Sequence, residues 1–186
     1  RPARAAERQE GSGYPEMIAR FASLLGADAP RSERTPASTD ESVVWVIAAI
    51  VGCHVRAGTM ESLGEVLSRL FPELCVRAAG LGLTPVGAPF TRYGEARADG
   101  SIEIEACLTV EGSGVGDCLA LDACRAAMVS HFGDYSTLGD AHFALGEFVR
   151  RERLETAGLC WEEYATDPGA EPDPANWETR VYWPVR

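Results

Sequence analysis

The sequence predicts an α+β fold: a tandem pseudo-twofold β-α-β-β repeat, in which a mostly antiparallel concave sheet carries two main helices on one face. Three observations predict it. Strand-like and helix-like periods follow one another in the same order twice. Short motifs recur at nearly constant spacing. A single β-α-β-β unit cannot bury both its helix stripe and its sheet face, whereas two units joined edge to edge can.

Residues 1–40 are dominated by Arg, Ala, Glu, Gly, Ser and Pro and read as a linker with one short helix, Tyr14–Leu25, which spaces Ile18, Phe21 and Leu25 helically. The domain follows at 41–186, with repeat 1 at about 42–112 and repeat 2 at about 118–186. In repeat 1 the apolar run Val43–Val51 predicts a buried strand, with Trp45 in the core. Gly58-Thr59 signals a turn and a helix start. Leu63, Val66, Leu67, Leu70, Phe71 and Leu74 then recur at steps of three and four, an amphipathic helix. Leu83–Tyr93 reads as strand, turn and an aromatic-bearing strand, and Ile102–Val110 as a half-exposed strand. In repeat 2, Leu121–His131 is strand-like, and Leu138, Ala141, Leu145, Phe148 and Val149 form the helical stripe. Gly158–Ala165 and Trp177–Val185 are strands, separated by a polar, Pro-rich loop at 167–174.

The repeat has a measurable register. Gly58…Leu63-Gly64 aligns with Gly133…Leu138-Gly139, 75 positions on; Gly87-Ala-Pro-Phe90-Thr-Arg-Tyr93 aligns with Gly158-Leu-Cys-Trp161-Glu-Glu-Tyr164, 71 positions on; Glu103–Val110 aligns with Glu178–Val185, again at 75. Repeat 2 therefore has a shorter helix-to-strand connection and a longer loop before its last strand, where added length costs little. The copies differ at Thr91 against Glu162, Phe90 against Trp161 and Glu105 against Arg180.

Composition narrows the function. The net charge is −11, from 28 acidic and 17 basic residues, and every basic residue is arginine. Such a surface repels nucleic acid and attracts cations, so no direct nucleic-acid binding is expected. No apolar run is long enough to span a bilayer, and the N-terminus shows no apolar signal region, so a cytoplasmic location is expected. The six cysteines form no CxxC pair and none stands beside a histidine at zinc spacing. They read as buried free thiols, and no metal or cofactor is expected. Glycine-rich phosphate loops and Gly-x-Ser-x-Gly are absent. His131 precedes a turn and helix start, which suits a satisfied structural hydrogen bond better than a catalytic base.

Four motifs in order resemble the GyrI-like (gyrase-inhibitor-like) effector-binding superfamily of AraC-type and MerR-type regulators. They are Pro89-Phe90-Thr91-Arg92-Tyr93, His131-Phe-Gly133-Asp-Tyr135, Trp161-Glu162-Glu163-Tyr164-Ala-Thr-Asp167-Pro168 and Trp177-Glu-Thr179-Arg-Val-Tyr-Trp-Pro184-Val185. The resemblance implies a pocket between the two copies. Phe90, Tyr93, Trp161, Tyr164 and Trp183 are its expected walls, and Glu162 and Glu105 its expected charges. One position departs from the family pattern: Arg180 stands where relatives carry a pocket glutamate. Glu105 holds the equivalent place in repeat 1, and the two are expected to pair near the pseudo-twofold axis.

The expected function is binding of a flat, apolar, aromatic or cationic small molecule by a sensor or sequestering module. Aromatic faces attract cations by about 0.5–2 kcal/mol each when water is excluded. Relatives also suggest a resistance hydrolase that opens a strained ring, with Glu162 and Tyr93 or Tyr164 as the acid and base. They further suggest a protein-binding inhibitor of a topoisomerase, with the acidic surface mimicking DNA.

Overall fold

The computed structural model describes residues 41–46, 49–58, 63–96, 102–112 and 118–186. The linker and helix expected within 1–40, and the turn at Thr59, lie outside the described residues. The strands are β1 (Ser42–Val46), β2 (Ala49–Gly58), β3 (Leu83–Pro85), β4 (Phe90–Ala96), β5 (Ile102–Gly112), β6 (Leu119–Leu121), β7 (Cys124–Phe132), β8 (Trp161–Tyr164) and β9 (Glu178–Val185). Helix α1 spans Leu63–Gly80 and helix α2 spans Leu138–Arg151. The sheet order is β1-β7-β9-β8-β4-β5-β2-β6, with β3 beside β5, and every described pair is antiparallel.

Strand register reproduces the repeat. Val51 pairs with Thr109, and the residues 75 positions on, Ala126 and Pro184, pair likewise. Phe90 pairs with Cys107; moving the two by 71 and 75 positions gives Trp161 and Tyr182, also a pair. The repeats join through β4 and β8, where Phe90, Thr91 and Arg92 face Glu163, Glu162 and Trp161. Exchanging the copies maps the Thr91–Glu162 pair onto itself, so the pseudo-twofold axis passes through it. The far ends of the sheet are also tied. Two positions separate β1 from β2, and two separate β6 from β7. The β1·β7 and β2·β6 ladders share one register (Val46↔Cys124, Ala49↔Leu121).

Both helices cover one face of this sheet. On α1, Leu70, Leu74 and Ala78 are buried, and Leu74 and Ala78 pack on Leu83, Leu108 and Val110. Leu63 and Leu67 pack on Tyr93, Ile102 and Ile104. On α2 the stripe Leu138, Ala141, Leu145, Phe148 and Val149 packs on Ala127, Val129, Val181, Trp183 and Val185. Each fully buried Leu, Val or Phe stabilises the fold by about 1.5–3 kcal/mol. The turn before α2 needs Gly133, whose φ of +137° is costly for any residue with a Cβ. Beside it, His131 Nε2 lies 3.1 Å from the Thr137 hydroxyl and 3.3 Å from the Asp134 carbonyl, a structural tie at the helix entrance.

One expectation fails here. Trp45 is 76% exposed rather than core. Its strand β1 runs along the outer side of β7 and alternates between half-buried and exposed, so it behaves as a strand covered on one face only. The described cysteines are free, with Cys107 and Cys160 buried, Cys118 and Cys124 half-buried, and Cys75 exposed; the side chain of Cys53 lies outside the description. No described helix is long and apolar enough to cross a membrane.

Candidate ligand-binding site

Successive side chains of a strand point to opposite faces. Thr91 and Tyr93 on β4, with Glu162 and Tyr164 on β8, therefore share the helix face, at the seam between the repeats. Glu162 sits on the pseudo-axis and is only 2% exposed. A carboxylate buried there demands donors, and it has three. His142 of α2 donates from Nε2 to Oε1 at 2.5 Å. The Tyr93 hydroxyl donates to Oε2 at 2.5 Å and the Tyr164 hydroxyl at 2.9 Å. Thus three of the roughly four acceptor positions of the carboxylate are filled. Tyr93 and Tyr164 are symmetry mates, 71 positions apart, converging on one acid that has no mate. Their hydroxyls lie 3.4 Å from each other, and Tyr164 is 3.1 Å from the Thr91 hydroxyl.

The electrostatics follow from this geometry. Burial first, and then the Glu162 charge, push both phenols well above their ordinary range, so Tyr93 and Tyr164 stay protonated and donate. His142 is 4% exposed, and burial alone would pull its pKa down. Its bonds to Cys160 and Glu162 outweigh that pull and raise the pKa to about 10. The Cys160 sulfur lies 3.9 Å from Nδ1. At neutral pH the acid and the imidazolium form a buried ion pair.

Aromatic rings pack against Tyr164 of this polar group. Phe71 of α1 and Tyr135 of the turn before α2 each meet Tyr164 edge-on, with ring centroids 5.9 Å apart. Trp177 leans on Tyr135 at 5.1 Å, and its indole N–H donates to the Glu171 carbonyl at 2.8 Å. The extra loop of repeat 2 thereby braces the rim. Phe71, Tyr135, Tyr164 and Trp177 are half-buried, whereas Glu162 beneath them is closed off.

Of the residues expected at the site, Tyr93, Glu162 and Tyr164 come together and five do not. Phe90, Trp161, Glu105 and Arg180 lie on the opposite face of the sheet. There Phe90 packs with Cys107, Leu121 and Trp161, and Trp161 stacks on Tyr182 at 5.1 Å. Trp183 points to the helix face but sits in the core beneath α2. The expected Glu105–Arg180 pair does not form. Glu105 pairs with Arg92 at 2.9 Å, and Arg180 with Glu163 at 3.0 Å and Glu178 at 2.8 Å. The reason is register: Arg92 stands directly opposite Glu105, and Glu163 directly opposite Arg180. These two cross-strand pairs are symmetry mates with their charges exchanged.

Sequence reasoning missed His142, Thr91, Phe71, Tyr135 and Cys160. His142 had a signal: it lies on the buried stripe of α2, four residues after Leu138 and three before Leu145, where a titratable group needs a partner.

A family model for the GyrI-like small molecule binding domain matches residues 57–186. The chain belongs to the GyrI-like family. Solved structures of the same fold include the EcmrR C-terminal domain, 21% identical at a TM-score of 0.68, covering 80% of this chain and 98% of that one. SAV2435 bound to tetraphenylphosphonium is 11% identical at a TM-score of 0.59, covering 79% of this chain and 94% of that one. A hydrolase from Listeria innocua is 12% identical at a TM-score of 0.54, covering 89% and 98% respectively. No curated protein matches. In this GyrI-like domain the acid, its two tyrosines and the rim stand at the seam of the duplication.

Proposed function

We propose that this GyrI-like domain binds a flat, largely apolar small molecule at the Glu162 cup, as a sensor or sequestering module. One observation carries the reading: a buried carboxylate held by two repeat-related tyrosines lies beneath half-buried aromatic rings, between two helices. Rings provide stacking surface for a flat ligand, and the polar floor orients it. That SAV2435 was solved with tetraphenylphosphonium adds support for a bulky aromatic ligand. Thermal melting with a panel of aromatic compounds tests the reading. A ligand at about 100 times its Kd adds about 2.7 kcal/mol of stability. That gain should vanish in Tyr164→Ala; a gain that survives it would move the site elsewhere.

A second reading is ring-opening hydrolysis. It is favoured by two phenols, a carboxylate and an imidazolium within direct hydrogen-bonding reach, the groups general acid–base catalysis uses. In this reading Glu162 takes a proton from water as its oxygen bonds to the ring carbon, and Tyr93 or Tyr164 protonates the departing atom. The hydrolase label of the Listeria innocua relative agrees with it. Mass spectrometry of a strained-ring substrate should show turnover that Glu162→Gln abolishes; undiminished turnover would remove Glu162 from the mechanism.

A further inference from the structure

We propose that His142 sets the charge of the ligand: it supplies the counter-charge of Glu162 from within the protein, so the cup takes an uncharged flat ligand in preference to a cation. This rests on the reading of the cup as a ligand site.

The argument begins with the ion pair. Nε2 of His142 lies 2.5 Å from Oε1 of Glu162, and both side chains are almost fully buried. A bare carboxylate at this depth would be costly, and a ligand cation would relieve that cost. With the imidazolium in place the cost is already relieved. An entering monocation would lose its hydration and meet a neutral pair instead of a net negative charge. An uncharged ligand loses far less on entry.

Among the described residues, three titratable groups are seen to face His142. Glu162 is on β8, Cys160 on the segment before it at 3.9 Å from Nδ1, and Tyr93 on β4, its ring edge-on at 6.3 Å. Glu162 and Cys160 both raise the pKa of the ring and so favour its protonated form. The overall charge of −11 draws cations toward the surface over long range, but it does not change the count inside the cup.

Acridone and N-methylacridinium test this, being a flat three-ring pair, one neutral with an N–H donor and one cationic. Both fluoresce, so binding to the full chain is read directly by titration at pH 7. The wild type should favour acridone. His142→Gln should move the affinity ratio toward the cation by about tenfold or more, because it removes one partner of a buried pair. A purely structural role for His142 would weaken both probes and leave the ratio unchanged, and that result overturns the proposal. If neither probe binds either protein, the ligand-site reading fails for flat aromatics. The charge assignment is then decided without ligand, by 15N NMR of the His142 ring at pH 7.5. A doubly protonated ring that becomes singly protonated in Glu162→Gln upholds it; a neutral ring in the wild type refutes it.

Discussion

Raising the pH should strip away the stability that His142 contributes, and the size of the loss follows from its surroundings. The imidazole titrates at an ordinary 6.5 when unfolded and at about 10 when folded. A pKa raised by folding stabilises the native state fully below the unfolded value, and the contribution disappears as pH climbs toward the folded value. Each unit is worth about 1.4 kcal/mol, so a rise from pH 6 to pH 9, about 2.5 units past the unfolded value, removes about 3 kcal/mol. This window stays below the phenols, which burial raises further. The thiol of Cys124, also raised by burial, contributes equally to wild type and variant and cancels in their difference. The assay is urea unfolding followed by tryptophan fluorescence at pH 6, 7, 8 and 9, for wild type and His142→Gln. The stability gap should narrow by about 3 kcal/mol across the series. A gap constant to within about 0.5 kcal/mol, the scatter expected of a neutral substitution, would show that the ring carries no folding-linked proton.

Three further outcomes follow from the packing. Tyr93→Phe removes a hydrogen bond to a buried carboxylate and should cost about 1.5–3 kcal/mol in denaturant unfolding. Trp183→Ala should cost about 3–5 kcal/mol as a core truncation, whereas Trp45→Ser should stay within about 0.5 kcal/mol; thermal melts of the two distinguish them at once. Reversing the half-buried pair in Arg92→Glu with Glu105→Arg should recover part of the loss seen in either single variant. The double-mutant coupling should be about 0.2–1 kcal/mol, and zero coupling would mean the pair is bridged by solvent.

The duplication was legible because register is periodic. Motif offsets of 75 and 71 positions in the sequence reappear as ladder pairings, Val51↔Thr109 with Ala126↔Pro184 and Phe90↔Cys107 with Trp161↔Tyr182. Site membership was only half legible. Trp161 and Glu162 are neighbours on one strand and cannot face the same way, so grouping every aromatic and acid of the motif into one pocket ignored strand parity. Parity alone would have picked Thr91, Tyr93, Glu162 and Tyr164. Nothing local distinguishes Trp183, which shares the helix face but lies under α2, away from the seam. Trp45 was misread because an apolar run does not reveal that its strand is covered on one face only. His142 and Phe71 reach the site from the helices, and their approach depends on how α1 and α2 straddle the seam, which no motif spacing encodes.

Thr91 makes the two halves of the chain unlike partners. If a second half met a copy of itself through the β8 seam, Glu162 would face Glu162 in one ladder position, two buried acids with like charge. If a first half did so through β4, Thr91 would face Thr91 and no acid would be present. Only unlike halves rebuild the cup. Fragments divided between β5 and β6 should thus recombine with each other in solution, and the second half should fail to pair with itself, as the complementary pieces of an asymmetric dimer written into a single polypeptide.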